Sequence, residues 1–209
     1  KNTFALTREK RVFISQHIGD LKNFETLAFY RETFERFRAL FRLEPALVAC
    51  DLHPDYLSTR FARELGLPTL EVQHHHAHIV SAMAENHLDG RVIGLAFDGT
   101  GYGTDGTIWG GEVLLAERGR YERAAFLEPL PMPGGAAAIK APWRMAISYL
   151  YQAFGESFRD LDTPFMTSVD PKQADILVAM MQQALNAPLT SSVGRLFDGI
   201  AALICLRSN

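Results

Sequence analysis

Four of the five residues in His74-His75-His76-Ala77-His78 are histidines, and a glycine-rich tract, Asp98-Gly99-Thr100-Gly101-Tyr102-Gly103-Thr104-Asp105-Gly106, follows them. Residues four apart on a helix share a face, so His74 and His78 can meet one divalent ion. Asp98, expected at the end of the next strand, can add a carboxylate to that pair. Both imidazoles must be neutral to bind, so occupancy is expected to weaken below about pH 6.5. The glycine tract lets backbone N–H groups approach phosphate closely, and Gly99, Thr100, Gly101 and Gly103 are its candidate contacts. A metal beside a phosphate cradle points to nucleotide chemistry. The same tract is also what a plain hairpin turn looks like. Histidine runs arise as tags too, but this one is internal and broken by Ala77. His75 and His76 point elsewhere on the helix, toward packing or substrate.

The elements that must position these groups alternate between strand and helix, as an α/β architecture requires. Residues 3–6 and 11–16 read as a hairpin. Asn23 can cap a helix whose apolar positions Leu27, Tyr30, Phe34, Phe37 and Phe41 form a core stripe. Residues 46–50 read as a buried strand. Leu57, Phe61 and Leu65, with Gly66 behind them, read as a helix and its stop. Residues 68–73 form a short strand that hands over to the histidine helix. A turn at Asp89-Gly90 precedes a strand over 92–97 that delivers Asp98, and strands over 107–115 and 121–126 follow. Residues 129–142 read as a loop, and helices are expected over about 142–154, 171–185 and 194–206. A new unit is expected to start at residue 89, leaving 1–88 as the first domain and 89–209 as the second.

Composition narrows the function classes. A chain of 209 residues, 47% hydrophobic and 22% charged, belongs with globular proteins. A net charge of −3 offers no electrostatic footprint for nucleic acid or an anionic membrane. Cys50 and Cys205 are too few and too far apart for a disulfide framework or a thiolate metal site, and both lie in apolar runs, so they are expected to be buried and inert. A reducing cytoplasm is the expected compartment. The start at Lys1 without methionine, and the apolar run over 200–206 directly before the end, lead to the expectation of a fragment of a longer polypeptide.

Several segments together carry a resemblance. They are Lys1-Asn2-Thr3-Phe4, residues 15–21 (Ser-Gln-His-Ile-Gly-Asp-Leu), residues 50–56 (Cys-Asp-Leu-His-Pro-Asp-Tyr), Val72-Gln73 with the histidine run, Asp98-Gly99-Thr100-Gly101, Trp109-Gly110-Gly111-Glu112, and residues 191–198 (Ser-Ser-Val-Gly-Arg-Leu-Phe-Asp). Through essentially its whole length the chain resembles the large domain of the HypF carbamoyltransferases, maturation factors of nickel-iron hydrogenases. The resemblance implies an actin-like/RNase H-like two-lobed ATPase fold, here truncated at both ends. It implies His74, His78 and Asp98 as ligands of a divalent metal, zinc or iron, with a fourth family ligand beyond Asn209.

In that family, carbamoyl phosphate and ATP become carbamoyl adenylate in an upstream domain. The actin-like domain then passes the carbamoyl group to the C-terminal cysteine thiolate of a HypE-like partner, the first step toward the cyanide ligands. The upstream domains are absent here, so the segment alone is expected to be inactive. ATP or carbamoyl adenylate is the implied nucleotide. Lys1, Asn2 and Thr3 are candidate phosphate contacts from the first hairpin, and Ser192 and Arg195 sit at an expected helix N-terminus suited to anions. Asp51, His53 and Asp55 can line a cleft, with Asp55 equally a helix cap, and Lys140 and Arg144 can hold an anion or start a solvated helix. Two other readings stay open: a related actin-like transferase acting on tRNA or a small-molecule hydroxyl, and an inactive nucleotide-binding or partner-docking fragment.

Overall fold

A side-chain cap starts the first helix where the sequence predicts it. The Asn23 carboxamide oxygen accepts the Thr26 N–H at 2.8 Å, and α1 (Phe24–Phe41) runs from there to a left-handed stop at Arg42. The computed structural model describes residues 2–21 and 23–206. Its contacts divide the chain into two compact units, Lys1–Val72 and Gln73–Asn209. The sequence-based division between residues 88 and 89 lies inside the second unit.

In the first unit, β1 (Ala5–Arg8) and β2 (Arg11–Ile14) form the expected antiparallel hairpin, with Ala5 opposite Ile14. The aromatic stripe of α1 packs on it: the Phe4 ring meets Tyr30, Phe34 and Phe37 edge-on at 5.3–5.6 Å. β3 (Val48–Asp51) and β4 (Thr69–Val72) pair in parallel, joined through α2 (Leu57–Glu64). Gly66 ends that crossover with φ +66°, a left-handed conformation that glycine adopts without strain. A cavity of about 770 Å³ is lined by Thr3 to Thr7 and Ala46 to Asp51, with Tyr30, Phe34 and Phe61 from the helices. Asp55 does not cap α2: Tyr56 holds the cap position without a side-chain bond, and Asp55 pairs with Arg60 at 2.9 Å.

The second unit opens with α3 (His74–Glu85), where the Gln73 side-chain oxygen accepts the His76 N–H at 2.9 Å. β5 (Val92–Tyr102), β6 (Ile108–Glu117) and β7 (Arg120–Phe126) form an antiparallel meander. Ile79 and Met83 of α3 pack on Ala96, Trp109, Leu114 and Ala116 of that sheet. Two short strands extend it: β8 (Leu130–Pro131) and β9 (Leu189–Thr190), the latter parallel to β6 at Ile108. The stretch expected as a loop therefore holds β8 and also α4 (Ala136–Lys140). Its backbone finds partners outside the segment, as Met132 N–H donates to Pro188 O at 2.8 Å.

α5 (Trp143–Phe154), a 3-10 segment over Gly155–Asp160, α6 (Pro164–Ser168), α7 (Pro171–Gln182) and α8 (Val193–Leu203) enclose a separate core of Ile147, Phe158, Phe165, Leu177 and Val178. α8 approaches α5 closely at Gly199, where a Cβ would stand 2.6 Å from the Tyr149 ring. Burial there pushes the Tyr149 hydroxyl up to about 12. Cys205 is exposed, contrary to expectation, because α8 ends at Leu203 and the chain turns with φ +56° at Cys205.

The α1 cap provides a direct check of the fold. Asn23→Ala is expected to cost the first unit about 1 kcal/mol, read as a lower urea midpoint with an unchanged slope.

Candidate metal centre

His74 and His78 start one turn apart on α3, and their imidazoles converge: the Nε2 atoms lie 3.1 Å apart. Asp98 Oδ2 stands 3.0 Å from His74 Nε2. One ligand atom from each residue lies within 4.8 Å of the others. Ligands about 2.1 Å from a central ion stand roughly 3 Å or somewhat more from one another, so these separations fit a divalent metal. Two imidazole nitrogens and a carboxylate oxygen are a donor set that suits zinc or iron. His74 and Asp98 are partly buried and His78 is exposed, so one side is open to an incoming group.

Asp98 does not sit at a strand end. β5 continues to Tyr102, and the ladder slips between Phe97↔Gly111 and Gly101↔Trp109. Asp98, Gly99 and Thr100 thus stand opposite Gly110 alone, in a bulge that re-aims a side chain out of the regular alternation. Gly110 leaves room for it, since a Cβ there would lie 2.4 Å from the Asp98 carbonyl oxygen. From the other side Ser192 Oγ lies 2.9 Å from both the Asp98 and Gly99 carbonyl oxygens. Asp98 Oδ1 accepts the Gly99 N–H at 2.5 Å, which leaves Oδ2 for His74.

The other two histidines pack. His75 is wholly buried, with its Nδ1 3.1 Å from the Gln73 amide nitrogen and its ring stacked against Trp109. Burial, and then the neighbouring His74, hold its imidazole below the ordinary histidine value, so it is neutral. Gln73 N–H donation to Nδ1 puts the His75 proton on Nε2, which finds no partner among the described residues. His76 Nε2 meets the Glu117 carbonyl at 2.7 Å and ties α3 to β6.

The glycine tract is mostly strand, with its turn only at Gly103 to Thr107, where the Gly103 N–H donates to Thr107 O at 2.9 Å. Packing explains two of its glycines: a Cβ on Gly101 would lie 2.2 Å from His75, and one on Gly103 would lie 2.2 Å from Trp109 Nε1. Gly99 has ordinary room beside Arg195, and the Thr100 hydroxyl donates to Gly99 O at 2.6 Å. The Ser192 hydroxyl is 1% exposed and engaged with Asp98, Gly99 and the Arg195 N–H. Arg195 is buried, and its guanidinium meets Asp198 at 2.8 Å.

The structure therefore brings His74, His78, Asp98, Gly99, Thr100, Ser192 and Arg195 into one unit. Asn2 and Thr3 belong to the other unit, where the Asn2 amide donates to Gly19 O at 2.9 Å and Thr3 is exposed. Lys1 lies outside the described residues. In the first unit the His53 N–H donates to Asp51 Oδ1 at 2.8 Å, closing the strand-to-helix loop on itself. Lys140 is exposed and Arg144 lies against Trp143.

Sequence reasoning missed Glu112, Arg123 and Asp105. Glu112 is wholly buried and takes Arg123 Nε at 2.6 Å, the Ser191 hydroxyl at 2.5 Å and the Gly110 N–H at 3.1 Å. Arg123 is sandwiched by Trp109 and Phe126, 4.0 and 3.7 Å from their ring centres, and also donates to Asp105 at 3.0 Å. The available signal was a lone carboxylate inside the apolar strand 108–115, facing an arginine on the next strand of a hairpin.

Comparison with solved structures defines the class. The fold matches a crystal structure of full-length HypF in a phosphate- and nucleotide-bound form at a TM-score of 0.94 and 45% identity, covering 100% of this chain and 32% of that one. HypF of T. kodakarensis matches at 0.80 and 34% identity, over 97% of this chain and 28% of that one. This is an α/β domain of the actin-like/RNase H-like ATPase type. A family model described as HypF Kae1-like domain matches residues 1–85, and one described as carbamoyltransferase, Kae1-like domain, second subdomain matches residues 94–209. The chain belongs to the HypF carbamoyltransferase family, as its Kae1-like domain. It is 43% identical over 207 residues to carbamoyltransferase HypF of Rhizobium leguminosarum bv. viciae, covering 99% of this chain and 27% of that protein. Against carbamoyltransferase HypF2 of Cupriavidus necator it is 46% identical over 213 residues, covering 99% and 26%. The chain thus spans about a quarter of the length of these relatives.

Two outcomes follow from the packing and the buried charge. Gly101→Ala is expected to force His75 aside at a cost of about 1–3 kcal/mol in a thermal melt. Gly119→Ala, with nothing within 4 Å of the new methyl, serves as its neutral control. For Glu112, burial alone would raise the carboxyl, but hydrogen bonds from Arg123, Ser191 and the Gly110 N–H outweigh it and hold the group below its ordinary value. A depressed folded pKa stabilises fully above the unfolded value of about 4.3, and that stability is lost as pH falls through the folded value. Glu112→Gln should therefore unfold with a flatter pH dependence than the parent below about pH 4.3. Urea midpoints that fall equally with pH in the two proteins would contradict this.

Proposed function

We propose that, within the full-length polypeptide, this chain binds one divalent ion, zinc or iron, at His74, His78 and Asp98. There it forms the part of the transfer centre at which carbamoyl adenylate meets the C-terminal cysteine thiol of a HypE-like hydrogenase maturation partner. The observation that supports this reading is the convergence of two imidazole nitrogens and one carboxylate oxygen within 4.8 Å in a member of the HypF family. When bound, the ion supplies positive charge for an adenylate phosphate and polarises the carbamoyl carbonyl.

The remaining work falls to the chain itself. α3 holds His74 and His78 on one face, and the β5 bulge aims Asp98 at them. Gly99 and Thr100 are half-buried beside Asp98 and are the residues proposed to receive the adenylate phosphate. Transfer forms the bond between carbamoyl carbon and sulfur and breaks the bond from that carbon to the phosphate oxygen. AMP leaves, and the thiol proton passes to solvent.

The test uses the full-length protein with carbamoyl phosphate, ATP and the partner. His74→Ala and Asp98→Asn are expected to lose bound metal, measured by elemental analysis, and to abolish thiocarbamate formation on the partner cysteine by mass spectrometry. Pyrophosphate release from adenylate formation should persist. Unchanged metal content and transfer in a His74→Ala/His78→Ala double variant would refute the assignment.

A further inference from the structure

A ligand that stands on a bulge needs something other than the strand ladder to hold it. Asp98, Gly99 and Thr100 face Gly110 alone, so the regular pairing of β5 and β6 does not fix the direction of the Asp98 carboxylate. We propose that Ser192 is the positioning residue for Asp98, and that the buried Glu112–Arg123 pair locks Ser192 in place through Ser191. The inference rests on the metal reading above and extends it to residues that do not touch the ion.

The contacts form an unbroken chain. Ser192 Oγ is 2.9 Å from the carbonyl oxygens of both Asp98 and Gly99, so its hydroxyl spans the two successive peptides that follow the ligand's Cα. The same oxygen caps α8 by accepting the Arg195 N–H at 3.2 Å, which anchors it to the helix. Gly194 brings that helix end against the bulge, since a Cβ there would lie 2.8 Å from Gly99 Cα. Ser191, the preceding residue, donates its hydroxyl to Glu112 Oε1 at 2.5 Å. The same carboxylate oxygen accepts the N–H groups of Gly110 and Gly111 at 3.1 and 3.3 Å. Glu112 therefore grips both supports of the bulge: Gly110, which lies opposite it, and the segment 191–192, which lies against it.

The polar character of this arrangement needs an explanation that stability does not supply. A buried ion pair is often no better for folding than apolar residues of the same volume, because both charges lose their water. Glu112 is nonetheless wholly buried, with Arg123 fitted between two aromatic rings to neutralise it. An apolar residue at position 112 could fill the space but could not hold Ser191 and Gly110 at once. Outer partners that orient a ligand typically change metal affinity by about 10–100-fold when removed.

The experiment is Co(II) binding to the metal-free full-length protein, followed by its visible absorption bands and by competition with a chelator. Ser192→Ala and Glu112→Gln are expected to weaken Co(II) binding by about 10–100-fold and to shift the bands, which report ligand geometry. The double variant should be no weaker than Ser192→Ala alone, because both changes release the same segment. Phe165→Leu, in the separate helical core, should lower the melting temperature and leave affinity and bands unchanged. If Ser192→Ala and Glu112→Gln both bind Co(II) with parental affinity and spectrum, the positioning role is wrong and the metal reading stands. If the parent binds no more Co(II) than the His74→Ala/His78→Ala variant, the metal reading itself fails, and this inference falls with it.

Discussion

Helix α3 lies so close on strand β5 that only glycine fits beneath it at two points. A Cβ on Gly94 would stand 2.3 Å from Ile79, and one on Gly101 would stand 2.2 Å from His75. These two approaches bracket Asp98 along the strand and set the distance at which the first turn of α3 passes over it. The 3.0 Å between His74 Nε2 and Asp98 Oδ2 is a consequence of that spacing. Glycine weakens a strand, through lost side-chain packing and greater chain entropy when unfolded. The site thus depends on a local sacrifice of strand stability, offset by the apolar contacts of Ile79 and Met83 with Leu114 and Ala116.

The polar groups of the second unit divide by role according to what surrounds them. His75 is neutral, shielded from water and held by Gln73, so it works as a packing wedge with a fixed tautomer. Glu112 is as deeply buried but remains charged, because Arg123 and three further donors satisfy its oxygens. His78 keeps an exposed edge. Within one unit the fold therefore provides a neutral imidazole, a compensated carboxylate and an accessible imidazole, and solvent exposure with local hydrogen bonding decides which is which.

Local signals were legible in the sequence where they are self-contained. The stripe from Leu27 to Phe41, its Asn23 cap and the Gly66 stop need only helical geometry to be read, and so does the spacing of His74 and His78. The glycines after Asp98 were harder. On a strand they look like turn residues, because the side chains that occupy their missing Cβ positions, His75 and Trp109, come from elsewhere in the unit. The same holds for β8, β9 and α4, which are too short to carry a period and exist through contacts such as Met132 with Pro188. Glu112 was visible as an oddity in an apolar strand, but its partner Ser191 is 79 residues away in sequence. No local pattern encodes such a pairing.

That long-range pairing also connects two of the apolar cores of the second unit. The sheet with α3 and the cluster of α5 to α8 have separate apolar interiors. α8 joins them: its body packs on α5 through Gly199, and its N-terminus abuts the bulge through Gly194. A displacement of α8 along its axis would meet the Tyr149 ring beside Gly199 at the helical core. It would also be resisted at the bulge, where Gly194 meets backbone and Ser192 lies between two carbonyl groups. The direction of Asp98 is therefore tied to the register of α8, and through it to the packing of the helical core.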